Sequence, residues 1–373
     1  MDLTTLHAVV RRFPLVGWAR PAYPPLSDRV AEIAGIAEAA GRPGADRLHE
    51  GAHALNKAAL LASDCGMPDL ARDLCWQHIN IYRQAGHPLT ARQARYMLEP
   101  VHNLARLQIR ADAGEPAMRL LDAMYRAVMN RTDLLIEGHT LPLAGLTGTR
   151  DERHKLREWV WRQYIADGIR TLALAGRWDE AVTHARAHQG VGDHLMEGRQ
   201  AVIVAHCLRG ATRAAHDVLG ESTITEPWER QVAACLRVMC ADPSTAASEY
   251  VRSMVELFLS AKPAPDFMVF RTRLGLTVAT IALSSHPHTA DEVLAQVATE
   301  VIESGNGYAA RDVLTHPHPS VGVSEDHRRA LTGIVAASGL RAGTIPAPLL
   351  DTLTTSVKTA DEMLASAMRG VFG

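Results

Sequence analysis

Residues 174–182 read LAGRWDEAV and form a helical stretch that is interrupted at Gly176 and resumes around Ala181. Glycine readily adopts the left-handed backbone conformation that ends a helix. Five residues later, the small side chain of Ala181 lets two paired helices approach closely, and Trp178 can fill the gap between them. The segment therefore predicts a helical hairpin.

The same arrangement of a turn residue and an alanine five residues later recurs along the chain. The pairs are Gly66 with Ala71, Asp112 with Ala117, Gly176 with Ala181, and Gly210 with Ala215. Gly176 and Gly210 are 34 residues apart, and Ala181, Ala215 and Ala247 follow at intervals of 34 and 32. Repeats of this length build stacked helix pairs, each of which covers the apolar face of its neighbour.

These segments resemble tetratricopeptide (TPR) proteins, in particular uncharacterised TPR-like proteins of high-GC actinobacteria. The resemblance is carried by 54–77 (ALNKAALLASDCGMPDLARDLCWQ), 114–128 (GEPAMRLLDAMYRAV), 174–182 and 225–236 (TEPWERQVAACL). It implies an all-α fold, an α-solenoid of antiparallel helix hairpins with an inserted loop and a helical C-terminal cap. It implies a bacterial source and no catalytic residues.

Three ranges of the chain differ in character. We expect N-terminal helices with a proline-rich extended segment at 1–45, TPR-like repeats at 46–260 and a helical C-terminal region at 261–373. The prolines between Phe13 and Leu26 predict extended backbone there. Within the repeats, 131–150 (RTDLLIEGHTLPLAGLTGTR) lacks helical periodicity, which predicts a long inserted loop.

The composition limits the functional class. A net charge of −2 without a basic cluster argues against nucleic-acid binding, and no apolar stretch approaches the ~18 residues of a membrane span. Five cysteines without a C-x-x-C pair predict buried, reduced thiols in a cytoplasmic protein. Phosphate-binding loops, dinucleotide-binding glycine motifs and nucleophile elbows are missing from the sequence.

Polar residues recur on the predicted inner helices, where a concave face would meet an extended ligand. The predicted ligand-binding residues are Asn56, His102, Asn103, Arg106, Arg110, Gln163, Arg170 and Gln200. Asparagine and arginine can bond a peptide backbone and a carboxylate. The leading hypothesis is a scaffold or regulator that binds a protein or peptide without a cofactor. A solvated face with internal ion pairs is the alternative for these side chains.

A second hypothesis rests on His49-Glu50-Gly51-Ala52-His53, which matches H-E-x-x-H. On a helix, His49 and His53 could share a zinc ion, Glu50 could act as the catalytic base, and Glu99 or His102 could supply a third ligand. That pattern would make the protein a zinc hydrolase. Chance also produces such a pattern in a chain with 18 histidines. A biosynthetic enzyme without recognisable motifs stays open as well, and the oligomeric state is not predicted.

Overall fold

The chain is almost entirely helical. The computed structural model describes residues 1–241, 245–317 and 322–370, without the side chains of 245–247, so Ala247 lies outside the comparison. The described residues contain seventeen α-helices and one two-stranded sheet, which confirms the all-α prediction. No helix in this part of the chain is both long and apolar enough to cross a membrane.

The elements follow one another with short connections. The first group is α1 (Leu3–Val10), α2 (Leu26–Ala40), α3 (Arg47–Asp64), α4 (Pro68–Arg83), α5 (Ala91–Arg110), α6 (Gly114–Asn130), β1 (Leu134–Ile136), β2 (His139–Leu141) and α7 (Arg150–Leu174). The second group is α8 (Trp178–Ala187), α9 (Glu197–Leu208), α10 (Thr212–Gly220), α11 (Pro227–Met239), α12 (Thr245–Ser260), α13 (Met268–Ala282), α14 (Pro287–Ser304), α15 (Gly307–Leu314), α16 (Glu325–Ser338) and α17 (Ala347–Arg369). A short 3₁₀ helix, Pro265–Phe267, precedes α13.

Close contacts divide the chain into two compact units. Unit 1 comprises Met1–Pro24 and Gly168–Ser338, and unit 2 comprises Pro25–Asp167 and Gly339–Gly373. The predicted three-part division into 1–45, 46–260 and 261–373 drew its boundaries elsewhere and stays a prediction.

The four predicted turns share one backbone geometry. The turn residues have positive φ, which is 79° at Gly66, 58° at Asp112, 72° at Gly176 and 70° at Gly210. In each turn the next residue donates its N–H to the carbonyl five residues back, as Met67 does to Ala62 at 3.0 Å and Arg177 to Leu172 at 2.9 Å. This is the Schellman arrangement that satisfies the last carbonyls of a helix.

The alanines that follow these turns are all fully buried. Ala71, Ala117, Ala181 and Ala215 each have 0% exposure, and Trp178 is also buried. Where the turns fall within one unit, the flanking helices pack on each other, as α3 does on α4, α5 on α6 and α9 on α10. The predicted pairing of a turn residue with a small packing residue is therefore confirmed.

A further copy of this pattern lies in the segment GNGYAA between α14 and α15, which the sequence analysis missed. Gly305 has φ of 61°, and Ala310, five residues later, is fully buried. Asn306 caps α15 by accepting a hydrogen bond from the Ala309 N–H at 3.1 Å. The hairpin pattern thus continues into the C-terminal half of unit 1.

The predicted loop at 131–150 contains a β-hairpin, so that part of the prediction was wrong. Leu134 pairs with Leu141 and Ile136 with His139, and the two-residue turn of Glu137 and Gly138 has positive φ at both positions. That conformation suits the twist of a hairpin. The alternating side chains Leu134 and Ile136 join the core of unit 2.

Helix α13 lies at the centre of unit 1 and packs against α1, α11, α12, α14 and α15. Nearly all of its side chains are buried. Arg271 forms a two-point ion pair with Glu300, at 3.0 and 2.9 Å, and its guanidinium lies 3.7 Å from the ring centre of Phe258. Pairing on both sides allows this charge to remain inside the core.

The five cysteines are all buried and unbonded: Cys65, Cys75, Cys207, Cys235 and Cys240. This confirms the prediction of buried free thiols. Burial raises the pKa of Cys65 to about 11 and those of Cys75 and Cys235 to about 12, so these three groups are protonated near neutral pH.

Candidate functional site

The turns set a common register on the first helix of each hairpin. The position ten residues before the turn residue is Asn56 on α3 (before 66), His102 on α5 (before 112) and Gln200 on α9 (before 210). The position nine residues before is Asn103 on α5 (before 112) and Asp167 on α7 (before 176). Because these positions share a helix face, a row of hydrogen-bonding side chains results.

In unit 2 the two asparagines of this row contact each other. Asn103 Nδ2 donates to Asn56 Oδ1 at 2.6 Å, so the pair links α5 to α3. An amide carries one acceptor and two donor hydrogens, and a single bond leaves capacity unused. Within the described residues, Asn56 Nδ2 and Asn103 Oδ1 have no protein partner. One donor and one acceptor therefore remain available to a ligand.

The next group along α5 is built around a buried carboxylate. His102 Nε2 lies 2.6 Å from Asp167 Oδ2, and Arg106 Nε donates to the same oxygen at 2.9 Å. Burial lowers the pKa of His102, and the charge of Arg106 acts in the same direction against the opposing effect of Asp167. A neutral imidazole therefore donates to Asp167 near neutral pH. The side chain of Arg106 is 43% exposed, and its Nη groups bond no described residue.

A second buried carboxylate lies at the end of α3. Asp64 accepts ion pairs from Arg29 of α2 at 2.9 Å and from Arg110 of α5 at 3.0 Å. Arg110 also donates to the hydroxyl of Ser63. Two guanidinium groups thus share one carboxylate, which leaves this end of the surface positively charged. We refer to Asn56, Asp64, Asn103, Arg106, Arg110 and Asp167 together as the polar surface of unit 2.

Towards its N-terminus, α5 carries a more apolar group. The guanidinium of Arg95 lies 4.2 Å from the ring centre of Trp159, and its Nε lies 3.2 Å from Glu99. Burial raises the pKa of Glu99, and Arg95 opposes that shift. Stacking on an indole and pairing with a carboxylate hold the arginine in one orientation.

The zinc hypothesis gains no support from the geometry. The rings of His49 and His53 are 5.7 Å apart between centroids, while His49 Nδ1 contacts the Tyr96 hydroxyl at 3.0 Å. Glu99 is paired with Arg95, and Glu50 is half-buried in the first turn of α3. In the described residues, no three His, Cys, Asp or Glu side chains are grouped to hold a metal ion.

Gly51 gives the motif a packing role. A Cβ at this position would lie 3.0 Å from the Ala360 carbonyl oxygen and 3.0 Å from Leu364 Cβ, both on α17. Contacts this short are rarely tolerated, so glycine permits the close approach of α3 and α17. Part of the H-E-x-x-H pattern is therefore explained by helix packing.

The remaining predicted residues have different positions. Gln163 is half-buried in unit 2 and makes no hydrogen bond with a described residue, and Arg170 lies on the part of α7 that belongs to unit 1. Gln200 is fully buried in unit 1, where its Oε1 accepts from the Leu15 N–H at 2.8 Å and its Nε2 donates to the Leu15 carbonyl at 2.7 Å. Gln200 thus already binds an extended segment of its own chain.

Sequence reasoning missed Asp64, Asp167 and Trp159, although a signal for the two aspartates was present. Asp167 lies four residues after Gln163 and three before Arg170, on the same stripe of α7. Asp64 continues the α3 stripe at the helical spacing from Asn56. Continuing each predicted stripe by one more turn would have found both.

Comparison of the chain with known protein families, curated proteins and solved structures finds no match. The TPR resemblance therefore stays a prediction, and the functional interpretation rests on the geometry of the two units.

Proposed function

We propose that this protein is a TPR-like scaffold or regulator whose helix hairpins stack as a solenoid and whose unit 2 binds an extended segment of a partner protein. The polar surface of unit 2 is the binding surface. The observation that supports this most is the pair Asn56 and Asn103, which keeps one free donor and one free acceptor. In unit 1 the amide of Gln200, in the same register as Asn56, holds the backbone of an extended segment in two directions.

The arginines of this surface favour a partner segment that carries a carboxylate. Three guanidiniums, those of Arg29, Arg106 and Arg110, share the two carboxylates Asp64 and Asp167. Asp167 fixes Arg106 through Nε and leaves its two Nη groups without a described partner. Such a pre-oriented fork binds a carboxylate with little loss of side-chain entropy.

Selection from a random peptide library tests the proposal. Dodecapeptides displayed on phage are selected on the immobilised full chain, and a synthetic copy of the enriched sequence is titrated calorimetrically. We expect Arg106→Ala combined with Arg110→Ala to weaken binding at least about 10-fold, because charge-assisted bonds are lost.

The matched control is Arg126→Ala. Arg126 also pairs with an aspartate in unit 2, Asp122 at 2.9 Å, but its side chain is 71% exposed on α6. It should leave the affinity unchanged. Failure to enrich any peptide, or equal affinity for all variants, would contradict the proposal.

A further inference from the structure

An extended segment of unit 1 crosses several helices in the manner of a bound peptide. Residues Phe13–Pro24, here called the N-terminal strap, contain no helix or strand, as the prolines predicted. Just before the strap, α1 packs against α9 and α13. The strap thus enters the unit from a fixed point.

The strap is held through its backbone at three places. At Leu15 both the N–H and the carbonyl bond the buried amide of Gln200. The Arg20 N–H donates to the Asp266 carbonyl at 2.7 Å, and the Tyr23 carbonyl accepts from the Gly307 N–H at 3.2 Å. Backbone contacts of this kind bind an extended chain with limited dependence on its sequence.

Side chains add selectivity at defined positions. Phe13, Leu15 and Tyr23 are buried, and the ring of Tyr23 lies 4.3 Å between centroids from that of Tyr308. At Gly17 a Cβ would overlap the ring of Trp228. A side chain therefore cannot be added at this point without moving an indole that packs edge-on against Phe270.

The middle of the strap is much less tightly held. Residues 18–22 are all exposed, and Trp18 is 50% exposed with one side-chain bond, from its Nε1 to Glu197 at 3.3 Å. The tightly held parts are thus short, at 13–17 and at Tyr23. Local opening needs few buried contacts to be broken in such a segment.

We propose that the groove under the strap is a second peptide-binding site of this protein, independent of the polar surface of unit 2, with the strap as its resident ligand. Its partner in trans is an extended segment with a buried leucine, a glycine two residues later and an aromatic residue after an exposed spacer. Such a segment replaces the strap at Gln200 and Trp228.

Opening the groove in the full-length protein tests this inference. Gly17→Val places a branched side chain against Trp228 and should release the strap while the remaining helices stay folded. We expect a fluorescein-labelled synthetic peptide of residues 11–25 to bind the Gly17→Val chain at least about 10-fold more tightly than the wild-type chain, measured by fluorescence anisotropy. In the wild-type chain the resident strap competes with the peptide.

Three controls define the site. The peptide that itself carries Gly17→Val should not bind, and the Trp18→Ala chain should behave like wild type because Trp18 is half exposed. Adding Gln200→Ala to the Gly17→Val chain should weaken peptide binding about 10-fold, since two hydrogen bonds to Leu15 are lost.

The folded state of the variant decides what a negative result means. A Gly17→Val chain that keeps its helical circular dichroism and does not bind the peptide would overturn the proposal. Leu15→Ala opens the same end of the strap without introducing a clash. If both chains unfold, the strap is an integral part of the core of unit 1 and the proposal is wrong.

Discussion

Units 1 and 2 use the same helix register to place a side-chain amide, but the two amides have different surroundings. Gln200 in unit 1 is fully buried, and it bonds both backbone groups of Leu15 and the carbonyl of Leu195. Asn56 in unit 2 is half-buried and bonds only Asn103 among the described residues. One amide serves folding, and the other keeps hydrogen-bonding capacity at a surface.

The difference follows from the cost of burying polar groups. A buried amide must be bonded on both of its ends, and the Leu15 backbone provides both partners for Gln200. An amide that stays in contact with water can leave one end unpaired without that penalty. The surroundings of each amide therefore separate a structural role from a binding role, and three substitutions test this comparison.

The largest effect is expected at Gln200. Gln200→Met keeps the volume but removes three hydrogen bonds, leaving the N–H and C=O of Leu15 unpaired, and should lower the free energy of unfolding by about 3 kcal/mol. Asn103→Leu removes one bond at a surface and should cost about 1 kcal/mol or less. Urea denaturation of both variants gives the two values, and equal losses would remove the distinction between the two amides.

His78 of α4 offers an intermediate test, because it is a buried polar group without partners. It is fully buried, and neither ring nitrogen bonds a described residue. Burial lowers its pKa to about 3, below the ordinary value of 6.5. The unfolded chain therefore binds the proton first, so this contribution to stability is complete above pH 6.5 and is lost as the pH falls towards 3.

Replacing His78 should accordingly make the protein less acid-sensitive. Between pH 7 and pH 5 the wild-type chain should lose about 2 kcal/mol of unfolding free energy through this group. The chain with His78→Leu should lose correspondingly less, and the exposed-site control His154→Leu should behave like wild type. Identical losses in all three chains, measured by urea denaturation at both pH values, would show that His78 does not carry the effect.

The smallest stability effect compares two turns with the same geometry. Gly176 in unit 1 and Asp112 in unit 2 both have positive φ, where residues with a Cβ are strained. Gly176→Ala should lower the melting free energy by about 1 kcal/mol, and Asp112→Gly should raise it by about 0.5 kcal/mol. Calorimetric melting gives both signs. A loss in both variants would mean that the Asp112 side chain stabilises its turn.

Features encoded locally were predictable from the sequence. The turn residues and buried alanines were found because a left-handed turn and a close helix contact each require a particular residue type. The β-hairpin was missed, although Glu137-Gly138 suits a two-residue turn, because short apolar stretches beside glycine also fit a loop. The site was predicted in part: Asn56, Asn103, Arg106 and Arg110 follow from helical spacing.

What could not be predicted depends on contacts between residues far apart in sequence. No local pattern shows that Asp167 receives both His102 and Arg106, or that the strap at Leu15 occupies the amide of Gln200. The stripe of polar residues looked alike on α5 and α9. Only the packing of the strap separates a side chain that is already satisfied from one that is available.

The central claim, that Asn56 and Asn103 bind the backbone of an extended ligand, can be tested by changing that backbone. In a peptide selected on the full chain, each amide is replaced in turn by an ester, which removes one N–H donor. The claim predicts that one ester weakens binding to the wild-type chain about fivefold and has no effect on the Asn103→Ala chain. Equal affinity of all ester peptides for the wild-type chain, or the same loss in both chains, would contradict it.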